Sequence, residues 1–360
     1  DAIDLQVHDI SLNGAAQLSA SPMRISCNTL SLVDRSAQIF SKQDSVSINA
    51  TDSMDIGGSI QGGDGVNLLC KGRHCGISIG QDGVIQTAAY GLLNITGDHV
   101  EVDGALNGGA VSDPTAHYPV TCSDRAYDNQ TVNIFIGANR LRVGDSGTIV
   151  GGSILVCPRH AKSVTNTIQI SGKLYTKGSG PGQNSGLGKG ATPQTGGHAA
   201  GGGGHGGVGG RGVWIDVNLN RTEYSNGGIV YDVNATAAHL PDHVGSGGGG
   251  GDGGGGAGGG IIAMRARDLI LQSSQSNPKS AGYSPNIDVR GADALVRTSG
   301  GGGSGGTVVI STKYLHGNGV IDARGGKGGS VPHPDVHTSA PAKGDGGSGG
   351  GGGGGGVVWF

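Results

Sequence analysis

Residues 66–79 read Val66-Asn67-Leu68-Leu69-Cys70-Lys71-Gly72-Arg73-His74-Cys75-Gly76-Ile77-Ser78-Ile79. Two apolar-polar-apolar triplets flank a tight polar turn. Alternation with period two places the apolar side chains of each triplet on one face of a strand. The same signature recurs through the first part of the chain, at Ile10-Ser11-Leu12, Ile25-Ser26-Cys27, Leu30-Ser31-Leu32, Val46-Ser47-Ile48 and Val100-Glu101-Val102. Gly, Asn, Asp or Ser stands between the runs as turn chemistry, and no 3.6-residue period occurs. Strands of three to five residues with turns every six to eleven predict a parallel β-helix, or solenoid. A β-sandwich is the alternative, but its strands are usually longer and richer in aromatics.

The composition changes at residue 150. Of 78 glycines, 18 lie in residues 1–150 and 60 in residues 151–360. The chain therefore divides into a β-helical segment with short Ser-rich strands, 1–150, and a glycine-rich repeat segment, 151–360. In the second segment a glycine tract runs into an apolar strand four times. These are Gly212-Val213-Trp214-Ile215, Gly260-Ile261-Ile262, Gly306-Thr307-Val308-Val309 and Gly356-Val357-Val358, about 48 residues apart. A second element recurs as Ile287-Asp288-Val289-Arg290-Gly291 and Ile321-Asp322-Ala323-Arg324-Gly325, with Tyr231-Asp232-Val233 as a more degenerate copy. Constant spacing is the mark of a stacked array whose units bury faces against one another. The glycine tracts are expected to be polyproline-II-like strands, bonded between tracts because that conformation satisfies no backbone group internally. A flexible linker is the competing reading.

Charged residues make up 14% of the chain and the net charge is −3, which lacks the electrostatic footprint of a nucleic-acid binder. No stretch approaches the ~20 apolar residues of a membrane span. Glycines in clusters, with 12 prolines, exclude collagen. Asp1 opens without the features of a signal peptide. Gly349–Gly356 leads into Val357-Val358-Trp359-Phe360 like the opening of a strand, so the chain reads as an excerpt from a longer one.

Five cysteines stand at 27, 70, 75, 122 and 157. Cys70 with Cys75 and Cys122 with Cys157 are the expected disulfides, leaving Cys27 free or paired outside the excerpt. A zinc site around His74 lacks the second close cysteine pair. Glycosylation sequons begin at Asn49, Asn94, Asn129, Asn220 and Asn234, all with threonine. Sequons and disulfides together favour the secretory pathway and an extracellular or cell-surface location.

Chemistry is scarce. Gly144-Asp145-Ser146-Gly147 and Thr236-Ala237-Ala238-His239 echo serine-protease segments in the wrong order, and the first reads as a β-turn whose glycine takes a positive φ. Gly204-His205-Gly206 resembles a polygalacturonase motif without the clustered aspartates, so His205 reads as an interruption of a glycine tract. Gly186-Leu187-Gly188-Lys189-Gly190 lacks the residues of a phosphate loop. His333-Pro334-Asp335-Val336-His337 reads as a surface insertion rather than a metal site. Gly62-Gly63-Asp64-Gly65 and Asp252 are weak hints of calcium-binding repeats without tandem copies. No catalytic residue, metal or cofactor is expected.

Residues 204–212, 300–309 and 349–359 together resemble a family of very large, glycine-rich extracellular proteins of plants, algae and protists. That family carries a Gly-x-Ile-x-Ala-x-Gly-Gly segment, matched here by Gly319-Val320-Ile321-Asp322-Ala323-Arg324-Gly325-Gly326. The resemblance covers roughly residues 196–360. It implies a structural role at the cell surface, as in flagellar hairs or secreted fibres, without catalysis. The expected function is a self-assembling subunit of a filament, hair or matrix, whose partners are copies of itself or a related chain and N-linked glycans. An adhesin or carbohydrate-binding solenoid is the alternative, reading through His333–His337 and the loop around Tyr283. A polysaccharide-active enzyme ranks last.

Overall fold

The computed structural model describes residues 2–88, 91–111, 113, 115–122, 132–159, 166–192, 199–216, 221–234, 236, 239–251, 254–273, 284–296, 298–331 and 345–360. Among these the chain is all-β, without a helix. Two large sheets, of thirteen and nine strands, are parallel throughout, and a four-stranded sheet is antiparallel.

Alternation in the sequence becomes columns of aliphatic side chains across the parallel sheets. In the larger sheet, Met23, Val46, Val66, Leu93, Ile134, Ile154, Ile262 and Val308 stand in register. Beside them run Ile25, Ile48, Leu68, Ile95, Ile136, Val156, Met264 and Ile310. In the smaller sheet, Ile39, Ile60, Ile85, Leu106, Ile149, Leu174 and Ile287 line up likewise. All three columns are buried in one continuous core. Each fully buried aliphatic side chain contributes about 1.5–3 kcal/mol, so the columns are the main cohesive force between successive strands.

The strands are longer than the triplets suggest. Ile25-Ser26-Cys27 and Leu30-Ser31-Leu32 lie in one strand, Met23–Leu32, with a register shift between Cys27 and Thr29. Val46-Ser47-Ile48 continues to the end of Ser45–Ile56. Polar residues between two triplets read as turns in the sequence, yet they stay extended because a parallel neighbour on each side takes up their backbone groups.

Pairing continues across residue 150. Ser153–Cys157 pairs with Ile261–Leu271, which pairs with Thr307–Gly317, which pairs with Val357–Trp359. Ile287-Asp288 stacks in register on Ile321-Asp322. In both copies the arginine two residues on folds back onto its aspartate, with Nε to Oδ1 2.9 Å in each. Two expectations are corrected. Gly212–Asp216 is not a unit of the series, for it pairs antiparallel with Arg221–Ser225 and Asp345–Gly349. A glycine tract before an apolar strand says nothing about strand direction, and a nearby return strand captured this one. Tyr231-Asp232-Val233 does not stack on Ile287-Asp288 either, because Asp232 has φ +61° and turns out of any strand.

The glycine tracts are hydrogen-bonded to one another. From residues 300–306, Gly301 and Ser304 donate to Gly249 and Ser246, both at 2.9 Å. Gly302 and Gly305 donate to Gly351 and Gly354 at 2.9 and 3.0 Å, and Gly303 and Gly306 donate to Ala292 and Val289 at 3.0 and 2.7 Å. The direction of donation thus returns to the same neighbour every third residue, the period of polyproline II. Absence of a side chain is a steric requirement here. A methyl on Gly303 would overlap the carbonyl of Ala257, and one on Gly305 that of Ala323.

Candidate functional site

Beside this packed region polar groups converge from five segments. His205, at the end of residues 199–205, is fully buried. Its Nδ1 lies 2.8 Å from Gly305 O, an acceptor, so that nitrogen carries a proton. Its Nε2 faces Thr307 Oγ1 at 3.3 Å and Asp232 Oδ2 at 3.4 Å. Thr307 donates in turn to His243 O at 2.6 Å.

Asp232 is the hub. Its left-handed backbone, which Asp tolerates better than most residues, turns the carboxylate inward. Oδ1 lies 2.9 Å from His243 Nδ1, and Oδ2 accepts from the His243 backbone N–H at 3.2 Å. Burial opposes its ionisation, but hydrogen bonds from His205 and His243, and their charge, outweigh that and hold its pKa well below the usual carboxylate range. The hydrogen bond to Asp232 raises the His243 pKa against the opposing effect of burial, with the Asp232 and Asp242 charges adding to the rise. Tyr231 stacks on His205 with ring centroids 4.5 Å apart and donates to Val244 O at 2.6 Å. Burial pushes the tyrosine pKa up, so it remains a neutral donor.

Asp242 adds a second carboxylate. Oδ1 lies 3.2 Å from His243 Nδ1, and Oδ2 lies 2.9 Å from Nδ1 of His117. The His117 and His243 rings are 4.5 Å apart. A cleft of about 570 Å³ opens here, lined among others by His117, Tyr231, Asp232, Asn234, His239 and Asp242. Asp232 is ionised and fully committed to hydrogen bonds, so it is not the carboxylic acid of raised pKa that glycoside hydrolysis requires.

The residues singled out by sequence fall elsewhere. Cys70 is bonded to Cys75 with Cα atoms 5.4 Å apart, and Cys122 to Cys157 with Cα atoms 5.6 Å apart. Cys27 is free and buried. Asn49 and Asn94 stand half-buried at outward positions of Ser45–Ile56 and Leu92–Val102, whereas Asn234 is exposed at the cleft. Asn129, Asn220, Asp252, Tyr283 and His333–His337 lie outside the described residues. At Gly144–Gly147 a turn forms, with Gly147 N–H donating to Gly144 O at 2.9 Å. Gly147 is not among the positive-φ glycines, however; it is needed because a side chain would strike the carbonyl of Val102.

His205 is no mere interruption of a glycine tract, since both ring nitrogens are engaged. The only local signals for the cluster were Asp232 beside Tyr231 and Asp242 beside His243. Nothing in the sequence connects either pair with His117 or His205. No family model, no curated protein and no solved structure matches the chain.

Proposed function

We propose that this chain is a structural subunit of an extracellular filament, hair or matrix, and that it performs no reaction. In this reading the two parallel sheets form a β-solenoid, and the glycine tracts continue it as a stacked array of polyproline-II-like strands. The observation that carries the proposal is the threefold rotation of main-chain hydrogen bonds about residues 301–306, whose amides donate in turn to three neighbouring stretches of backbone. Such packing yields a stiff body with few side chains at its centre, which suits load-bearing rather than catalysis.

Growth would proceed at sheet edges. An open sheet edge accepts a further strand. The partner would be a copy of this chain or a related one. The two disulfides fit passage through an oxidising compartment. No helix among the described residues is long and apolar enough to cross a membrane. N-linked glycans at Asn49, Asn94, Asn129, Asn220 and Asn234 would be the chain's further partners. The resemblance to glycine-rich surface proteins of plants, algae and protists points the same way.

Electron microscopy and analytical ultracentrifugation of the purified, concentrated chain test this. Fibres or open-ended oligomers are expected; a monodisperse monomer at high concentration refutes self-assembly. The cleft at Tyr231 and Asn234 favours a second reading, an adhesin whose polar walls read a glycan. A glycan array separates the two, for a scaffold binds no sugar specifically.

A further inference from the structure

We propose that His117, Asp242 and His243 bind a divalent transition-metal ion, zinc by the chemistry of the set. The three ligand atoms lie within 4.8 Å of one another. Asp242 bridges the histidines, 2.9 Å from His117 Nδ1 and 3.2 Å from His243 Nδ1. Ligand atoms around a tetrahedral zinc with bonds of about 2.0–2.1 Å stand about 3.3 Å apart, so small side-chain adjustments suffice. Two imidazoles and one carboxylate suit zinc or its neighbours better than magnesium or calcium, which take oxygen ligands.

Charge points the same way. Oδ1 of Asp232 and Oδ1 of Asp242 both close on a single nitrogen, His243 Nδ1, at 2.9 and 3.2 Å. That nitrogen carries at most one proton, which bonds to Asp232, so Asp242 Oδ1 meets the same nitrogen only as a charge contact. No Lys or Arg lines the cleft among the described residues. A dication in place of that proton would neutralise Asp242 directly. Asp232 would keep its contacts with His205 and with the His243 backbone N–H, while its Oδ1, no longer bonded to a proton on His243 Nδ1, would face the ion as a further negative charge.

The ligands are also held from outside the site. Tyr118 N–H donates to Asp242 O at 2.8 Å, and Tyr118 OH donates to Asp113 O at 2.8 Å, so the loop bearing His117 is fixed against Asp242. The Cys122–Cys157 bond anchors the same loop to the larger sheet. The ion would pin this loop to the segment that enters the glycine tract at Val244. His117, with its side chain 73% exposed, leaves room for solvent at the fourth position.

The test is calorimetric titration of the chelator-treated full chain with zinc, and a visible absorption spectrum with cobalt(II). One equivalent bound, a tetrahedral cobalt spectrum and a raised melting temperature are expected. Asp242→Asn and His117→Ala should each weaken binding at least tenfold. The His333→Ala/His337→Ala double variant should bind normally. His117 is exposed enough for its variant to fold, which keeps the test decisive if Asp242→Asn does not fold. Absence of binding at millimolar zinc overturns the proposal. So does affinity unchanged in His117→Ala, or affinity lost in the 333/337 variant.

Discussion

Replacing Gly303 with alanine tests whether close main-chain packing holds the glycine tracts together. The new methyl would overlap the carbonyl of Ala257, a backbone group that cannot rotate away. To relieve this, residues 300–306 must move, stretching the bond from Gly303 N–H to Ala292 O at 3.0 Å and that from Gly326 N–H to Gly303 O at 2.7 Å. Overpacking costs about 1–3 kcal/mol, and each weakened bond about 0.5–1.5 kcal/mol. Alanine returns about 0.4–1 kcal/mol by restricting the unfolded chain. The net is a local destabilisation of about 1–5 kcal/mol, which would speed amide exchange of the surrounding tract roughly 5- to 5,000-fold. Gly355 is the control: nothing lies within 4 Å of an added methyl there. Hydrogen exchange at Gly301, Gly303 and Gly326 reads the difference. Equal exchange in Gly303→Ala and Gly355→Ala would refute the reasoning and return the tracts to the status of linkers.

Other consequences follow from the same structure. Arg290→Ala leaves the buried carboxylate of Asp288 without its guanidinium and should destabilise by about 2–4 kcal/mol, whereas Arg324→Ala, at a side chain 76% exposed, should cost less than about 1 kcal/mol in urea unfolding. Reducing Cys122–Cys157, 35 residues apart, should lower stability by about 4 kcal/mol and Cys70–Cys75, 5 apart, by about 2 kcal/mol, measured on Cys→Ser pairs. With chelator present, the Asp232–His243 contact should stabilise the metal-free chain most between about pH 4 and about pH 6.5. The raised pKa of His243 gives stability that is complete below its ordinary value and lost as pH rises through its folded one. The depressed pKa of Asp232 gives stability that is complete above its ordinary value and lost as pH falls through its folded one. The melting-temperature gap between this chain and Asp232→Asn, followed across pH, should peak in that window; a flat gap counts against the contact.

Much of the sheet architecture was legible in the sequence. Triplets such as Val66-Asn67-Leu68 reveal themselves because period two can bury only one face, and the buried residues are those of the aliphatic columns. Joining two triplets into Ser45–Ile56 was not legible, since Asn49-Ala50-Thr51-Asp52 has the composition of a turn and only its neighbours keep it extended. Two of the three spacings near 48 residues correspond to parallel pairs, Ile262 with Val308 and Val308 with Val358. The third failed because the residues after Gly212 meet a return strand at Arg221–Ser225. The polar cluster was almost wholly hidden. His117, His205, Asp232 and His243 meet through tertiary folding alone, and a lone histidine between glycines carries no mark of the aspartate it faces.

Rotation of donors about residues 300–306 also constrains how such a tract can change in length. One extra residue would turn every later amide by a third of a revolution, aiming groups that now meet Gly351 and Gly354 at another flank. Three extra residues would restore every heading after a single full revolution. Lineages carrying this architecture should therefore lengthen or shorten their tracts in codon triplets of nine nucleotides, a ratchet that bulky substitutions could not mimic.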